Sequence, residues 1–460
     1  MQNTQNYRYL YLISLTAALG GLLFGYDTAV IAGAIGLLRI KFELSAAMTG
    51  WAASSAIIGC IFGAMFAGKL SDVYGRKKIL IITAILFAIS AIGSAIPHNL
   101  TQFVIARFIG GLGVGAASML SPLYISEIAP AKIRGTLVTT YQLAIVLGIL
   151  IIYYVNLQVS NLGDEAWNIE TGWRYMLGSE VIPAIIFLTF LFFVPESPRW
   201  LSKMGKKDQS LKILQNINGN KIAKEIQNEI EITLKEEKGS IAELFAPGLR
   251  MALIVGVVLA AFSQITGINA IMYYAPEIFR SVGFGTESAL TQTVIIGSVN
   301  VLFTFVALWL IDKVGRKSLL LYGVSGMALC LLGLGLIFFL NLGSGPWVLI
   351  FILGYIASFA ASLGPIPWVI MSEIFPTKTR GVAMSIAVLI LWVSVYLVTQ
   401  FFPILLESIG GAFTFWIFMI NAIILVLFVW KVVPETKGKT LEEIEKSWIT
   451  SEFKEVEHVN

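Results

Sequence analysis

The chain is 460 residues long, 57% apolar and only 13% charged, where a soluble domain carries about 25% charged residues. This balance excludes a water-soluble globular protein and leaves a membrane protein, whose net charge of +4 suits basic loops beside anionic lipid and offers no case for nucleic acid. With 2 cysteines and 2 histidines, neither a disulfide framework nor a metal centre is expected.

Charge-poor runs recur at 9–35, 47–70, 79–96, 101–123, 136–157, 174–194, 251–275, 289–311, 318–340, 347–371, 382–406 and 411–431. Each is about as long as a helix crossing a hydrocarbon core about 30 Å thick, so twelve transmembrane helices are predicted. Cys60 and Cys330 fall inside two of these runs. The first run carries Asp27 and leads straight into the second, which is not the pattern of a cleavable signal peptide.

Basic residues cluster in alternate loops. Arg76, Lys77 and Lys78 follow span 2, Lys132 and Arg134 follow span 4, Lys313, Arg316 and Lys317 follow span 8, and Lys378 and Arg380 follow span 10. The opposite loops hold only Arg39, Lys41, Arg174 and Arg280. The positive-inside rule then places both termini in the cytoplasm. The long polar stretch 199–250 lies on the same side. There Leu211, Leu214, Ile222, Ile226, Ile230 and Leu234 recur at helical spacing, which predicts short amphipathic helices on the membrane face or against the bundle.

Three phrases occur twice, about 240 residues apart. Asp72-x-x-Gly75-Arg76-Lys77 returns as Asp312-x-x-Gly315-Arg316-Lys317, Glu127-Ile-Ala-Pro-x-Lys-x-Arg134-Gly135 as Glu373-Ile-Phe-Pro-x-Lys-x-Arg380-Gly381, and Val194-Pro195-Glu196 as Val433-Pro434-Glu435. A shared offset implies two related halves joined in parallel, six spans in each. The expected layout is a first half at 1–198, a cytoplasmic linker at 199–250, a second half at 251–431 and a cytoplasmic tail at 432–460.

Asp27 and Arg107 are the clearest ionisable residues deep inside predicted spans, and an intramembrane charge is expensive unless partnered or functional. Counted from the outer edge at 1.5 Å per residue, Asp27 lies about 12 Å down span 1 and Arg107 about 9 Å down span 4. They are therefore expected to meet. An aspartate beside an arginine stays ionised, and one that loses this partner takes up a proton more readily.

Taken in order, Gly68-x-x-x-Asp72-x-x-Gly75-Arg76-Lys77, Arg107-Phe-Ile-Gly110-Gly111-Leu-Gly113-Val-Gly115, Pro195-Glu-Ser-Pro-Arg199 and Pro434-Glu-Thr-Lys437-Gly438 resemble the sugar porter family of the major facilitator superfamily. Leu23-Phe-Gly-Tyr-Asp27-Thr-Ala-Val-Ile and Ser118-Met-Leu-Ser-Pro-Leu-Tyr-Ile-Ser-Glu127 bring the chain nearest to bacterial proton-coupled symporters of the xylose and hexose type. The resemblance implies an all-α major facilitator fold of twelve transmembrane helices. It implies a monomeric, multi-pass transporter of the cell (plasma or inner) membrane that imports a neutral monosaccharide with a proton by alternating access, and needs no cofactor or metal. Proton-coupled relatives carry an aspartate where Asp27 stands, whereas facilitators generally do not.

Sugar recognition calls for amides, which hydrogen-bond hydroxyls without carrying charge, and for aromatic faces that cover the apolar side of the ring. The resemblance places such contacts at Phe24, Gln142, Gln264, Asn269, Tyr273, Asn300, Gly364, Trp368 and Trp392. A break at Gly267 would bring Gln264, Asn269 and Tyr273 onto one face, and Gly364-Pro365-Ile-Pro367-Trp368 is expected to interrupt span 10 as a hinge. The resemblance also makes Asp72, Arg76, Glu127, Arg134, Glu196, Asp312, Arg316, Glu373, Arg380 and Glu435 a cytoplasmic gate. In that gate Asp72 pairs with Arg76, Glu127 with Arg134 and Glu373 with Arg380.

Two positions depart from the family pattern. Ser263 precedes Gln264 where a glutamine pair is usual, and Leu391 precedes Trp392 where xylose-type relatives have an amide. Each removes a long hydrogen-bonding group, so a pentose, hexose, deoxy sugar or polyol all remain open. A proton-independent facilitator is the nearest alternative, and Asp27 argues against it. A non-transporting sugar sensor would carry a longer tail than the 22 residues after Gly438. A membrane enzyme lacks support, since no nucleotide loop, metal cluster or nucleophile with a base is legible, with His98 in an external loop and His458 in the tail.

Overall fold

The computed structural model describes residues 6–235, 242–246, 249–342, 346–375, 379–438 and 443. Lys378 and His458 lie outside the described residues, and so do the side chains of Lys132 and of the expected gate residue Asp312. Within the described residues the chain is helical and shows no strand. Twelve helices there are long and apolar enough to cross a membrane.

The helices are α1 (Tyr7–Lys41), α2 (Ala46–Tyr74), α3 (Arg76–Ala95), α4 (Leu100–Ile128), α5 (Ala131–Ser160), α6 (Trp173–Gly178), α7 (Val181–Phe193), α8 (Pro198–Lys203), α9 (Lys207–Asn218), α10 (Asn220–Lys235), α11 (Leu249–Ile265), α12 (Ile268–Ser281), α13 (Thr286–Val314), α14 (Arg316–Phe339), α15 (Pro346–Ala361), α16 (Ile366–Ile374), α17 (Arg380–Ser408) and α18 (Gly410–Lys431). Several run past the apolar stretches expected from sequence. α1, for example, continues to Lys41, because backbone hydrogen bonding does not stop where the side chains turn polar.

Three spans are broken, each for a local reason. The sixth passes through a π-helical turn at Asn168–Gly172 and breaks again between α6 and α7. There Pro183 has no N–H for the carbonyl of Ser179 and crowds it with its ring. The seventh breaks at Thr266 and Gly267, where Gly267 adopts φ +99°, a left-handed conformation that a side chain would resist. The tenth breaks at 362–365 beside Pro365 and Pro367, as the Gly-Pro-x-Pro phrase predicted.

The chain divides into two compact units, Met1–Glu43 with Ser55–Glu237, and Leu44–Ser54 with Lys238–Asn460. In the first, α1 packs along α5, and α3 packs against α4. In the second, α14 packs against α18 and α15, and α11 against α17.

The amphipathic helices of the 199–250 stretch turn their apolar faces toward each other. Leu214, Ala223 and Ile230 form a buried cluster that Leu211, Ile226 and Leu234 cover, while Ile222 is half-buried. Ser202, Ser210 and Gln227 form a closed hydrogen-bond set behind it. The amide of Asn6, at the start of α1, donates to the carbonyl of Ile217 at 2.9 Å and ties these short helices to α1 within the first unit.

Candidate functional site

The two intramembrane charges meet in the first unit. Arg107 on α4 donates through Nη1 to Asp27 Oδ1 at 2.6 Å and through Nη2 to the Asp27 carbonyl at 2.9 Å. Both side chains are buried, Asp27 completely. Helix rise alone predicted similar depths, and the packing of α1 against α4 brings the two into contact.

A third ionisable residue, missed from sequence, completes this cluster. Glu180 sits in the break between α6 and α7, 1% exposed, beside the Asp27 carboxyl and within electrostatic reach of Arg107. Its signal was available, because Glu180 lies six residues into the run 174–194, about 9 Å down at 1.5 Å per residue and level with Arg107. Asp27 Oδ2 and Glu180 Oε1 are buried and receive no donor from the described residues. With one proton the two acids and the guanidinium are electrically neutral, the condition a low-dielectric interior favours.

The amide cluster forms in the second unit, around the break between α11 and α12. Asn269 Nδ2 donates to Gln264 Oε1 at 2.6 Å, and Gln264 Nε2 donates to Ser263 Oγ at 2.9 Å. Ser263 in turn donates to the Ala260 carbonyl at 2.7 Å. Tyr355 steadies the break by donating to the Thr266 carbonyl at 3.0 Å. The serine that departs from the expected glutamine pair therefore still orients Gln264, and the amide pair presents the Asn269 carbonyl oxygen as an acceptor.

The duplicated loop phrases build the same network twice. In the first unit Arg76 donates to both oxygens of Glu127 at 3.0 Å, and to Asp72 Oδ1 at 2.9 Å. Glu196 accepts the amides of Arg76 and Lys77 at 2.9 and 3.1 Å, placing its negative charge on the positive N-terminus of α3. Ser197 Oγ donates to Glu127 at 2.5 Å. In the second unit Arg316 meets Glu373 at 3.0 Å, Glu435 accepts the amides of Arg316 and Lys317, and Thr436 donates to Glu373 at 2.5 Å. Gly75 and Gly315, at φ +102° and +97°, make the tight helix-to-helix turns that aim these amides at their glutamates.

One expected feature is corrected. Glu127 does not pair with Arg134, nor Glu373 with Arg380. Arg134 Nε turns back to the Ala129 carbonyl at 3.4 Å, and Arg380 Nε to the Phe375 carbonyl at 3.1 Å. Burial pushes the Glu435 carboxyl up, but the amides of Lys437, Arg316, Lys317 and Thr436 outweigh it and hold it below the ordinary carboxylate value. Ser197, Thr436 and Lys203, which reaches Asp72 at 3.0 Å, are members that sequence reasoning missed.

Residues 13–448 match the family model described as "Sugar (and other) transporter". The chain belongs to the sugar transporter family. It is 50% identical over 442 residues to an arabinose-proton symporter of Bacillus subtilis, covering 96% of this chain and 95% of that one. It is 43% identical over 479 residues to a D-xylose-proton symporter of Escherichia coli, covering 97% of each. A solved structure of the E. coli xylose transporter in an inward open conformation matches 95% of this chain and 100% of its own, at 42% identity and a TM-score of 0.86. The architecture is the major facilitator fold.

The remaining sugar contacts implied for a member of this family are spread over both units. Phe24 and Gln142 are half-buried on α1 and α5. Tyr273, Asn300 and Trp392 are buried on α12, α13 and α17, with the departing Leu391 buried beside Trp392. Gly364 lies in the break of the tenth span, and Trp368 is 37% exposed on α16. On α1, Phe24 precedes Asp27 by three residues, so this sugar transporter carries an expected sugar contact and its buried carboxylate about one helical turn apart.

Proposed function

We propose that this protein imports a neutral monosaccharide together with a proton by alternating access, as a monomer in the cell membrane with both termini in the cytoplasm. The observation that carries the reading is the buried cluster of Asp27, Arg107 and Glu180. A facilitator has no use for two carboxylic acids in its apolar interior, where each costs free energy unless it performs work.

Asp27 is the group that takes the proton, Arg107 is the counter-charge that competes with the proton for it, and Glu180 shares the proton while Arg107 is in place. Releasing Arg107 leaves an uncompensated carboxylate that must be protonated before it can stay buried. Because Phe24 stands one turn away, sugar contact and proton occupancy act on the same helix. Phe24, Gln142, Gln264, Asn269, Tyr273, Asn300, Gly364, Trp368 and Trp392 are the residues assigned to the sugar, and the Arg76–Glu127 and Arg316–Glu373 networks are the cytoplasmic gate. The named relatives handle arabinose and xylose with protons, and this supports a small neutral sugar, with a pentose favoured.

The test is solute-dependent alkalinisation outside proteoliposomes, over a panel of pentoses, hexoses and polyols. Alkalinisation that follows sugar entry supports symport. A sugar that enters with no pH change marks a proton-independent facilitator and overturns the reading.

A further inference from the structure

Ser90 on α3 is fully buried, and its hydroxyl has no partner among the described residues. A hydroxyl in a transmembrane helix ordinarily has a local acceptor, the carbonyl three or four residues back. Thr28, Thr83 and Ser118 of the same unit all use theirs. Ser90 does not. Its Oγ points across to α4, where a methyl group placed on Gly110 would collide with it and lie 3.3 Å from Asp27 Oδ1. The hydroxyl and the carboxylate oxygen therefore border one small volume, which the glycine leaves open one turn beyond Arg107.

Asp27 Oδ1 is the oxygen that Arg107 holds at 2.6 Å. We propose that Ser90 is a positioning residue for the proton on Asp27, its hydroxyl being the donor that takes over Oδ1 when Arg107 lets go. The idle hydroxyl is then explained, because its partner is occupied in the state described and becomes available in another. This rests on the symport reading and adds to it a residue that sets how strongly the unpaired Asp27 attracts a proton. The other groups around Asp27 are Arg107 from α4, Glu180 from the break between α6 and α7, Cys60 from α2, and Tyr26 of α1 with its 2.8 Å contact to Ser179. α5 passes the same level with the buried Tyr153, between its contacts with Gly25 and Gly33. Of these groups, Arg107 is the one that donates to Oδ1 in the structure.

The experiment compares wild type, Ser90→Ala and Ser90→Thr in proteoliposomes, with arabinose, D-xylose and glucose as probes. Sugar-dependent proton uptake is measured against pH, and sugar exchange, which needs no net proton movement, reports intact folding. A donor to the ionised carboxylate opposes protonation. Ser90→Ala therefore moves the pH of half-maximal uptake upward by about one unit, the tenfold change expected for losing one hydrogen bond to a charged group. Ser90→Thr keeps a hydroxyl and stays with wild type, and exchange is unchanged in both. A Ser90→Ala profile that superimposes on wild type with normal exchange overturns the proposal, and so does loss of exchange in both variants, which makes Ser90 structural. Absence of sugar-dependent proton uptake in wild type overturns the symport reading instead, and this inference with it.

Discussion

Arg76 meets Glu127 through two parallel hydrogen bonds of 3.0 Å, Nε to Oε2 and Nη2 to Oε1, with side chains only 7% and 4% exposed. Arg316 repeats the contact with Glu373 through a single 3.0 Å bond, and there the glutamate is 29% exposed. Two-point geometry and burial make the first pair the stronger one. Removing one partner of a buried pair costs about 3–5 kcal/mol, against about 0–1 kcal/mol at an exposed one. Glu127→Ala is therefore expected to lower the unfolding free energy in detergent by several times the effect of Glu373→Ala. As a gate variant, Glu127→Gln should slow transport while leaving outside sugar binding intact. Parallel loss of binding and transport would remove the gate role.

Asp27→Asn abolishes uphill accumulation but leaves exchange, because an amide fills the space and cannot gain or lose the proton. Glu180→Gln acts differently. With Glu180 neutral, an ionised Asp27 and Arg107 already balance, so Asp27 needs more acid before it is protonated and the pH of half-maximal uptake moves down. The check is accumulation against pH for each variant. Uptake by Glu180→Gln that is unchanged at every pH would take Glu180 out of the coupling cluster.

Gln264→Ala leaves Asn269 Nδ2 without its acceptor and Ser263 without its donor. Unpairing polar groups in this half-buried cluster costs up to about 1–3 kcal/mol, so sugar binding is expected to weaken roughly 10- to 100-fold. Tryptophan-fluorescence titration with arabinose and D-xylose measures it, and affinities within twofold of wild type would place Gln264 outside the sugar site.

Glu435 anchors the N-terminus of α14, and its carboxyl is held below its ordinary value of 4.5 in the folded protein. A depressed folded value adds stability that is complete above the ordinary value and lost as pH falls through the folded one. The melting-temperature gap between wild type and Glu435→Gln should accordingly be constant near neutral pH and close below about pH 4.5. A gap that widens on acidification contradicts the anchoring.

The loops show where the residues misled. Arg134 follows Glu127 by seven positions, but nearness in sequence is not nearness in space. In the structure Ala129 is extended, at φ −73° and ψ 132°, and Pro130 follows it, so the chain turns away and Arg134 folds onto its own backbone. The guanidinium that reaches Glu127 comes instead from α3, fifty-one residues earlier in the chain. Glu180 escaped notice for a related reason, since its place in the cluster depends on the bend at Ser179 and Pro183, which an apolar-run reading treats as straight helix.

The sequence by itself determined twelve spans, two related halves and the similar depths of Asp27 and Arg107, because run length, repeat offset and helix rise are one-dimensional quantities that a bilayer turns into depth. The tertiary structure decided which charged groups touch sideways at a given depth. Glu180 joins Asp27, Arg76 takes Glu127, and the Ser90 hydroxyl faces Gly110 through helix rotation, breaks and tight turns, which the apolar pattern of a membrane helix leaves almost unmarked.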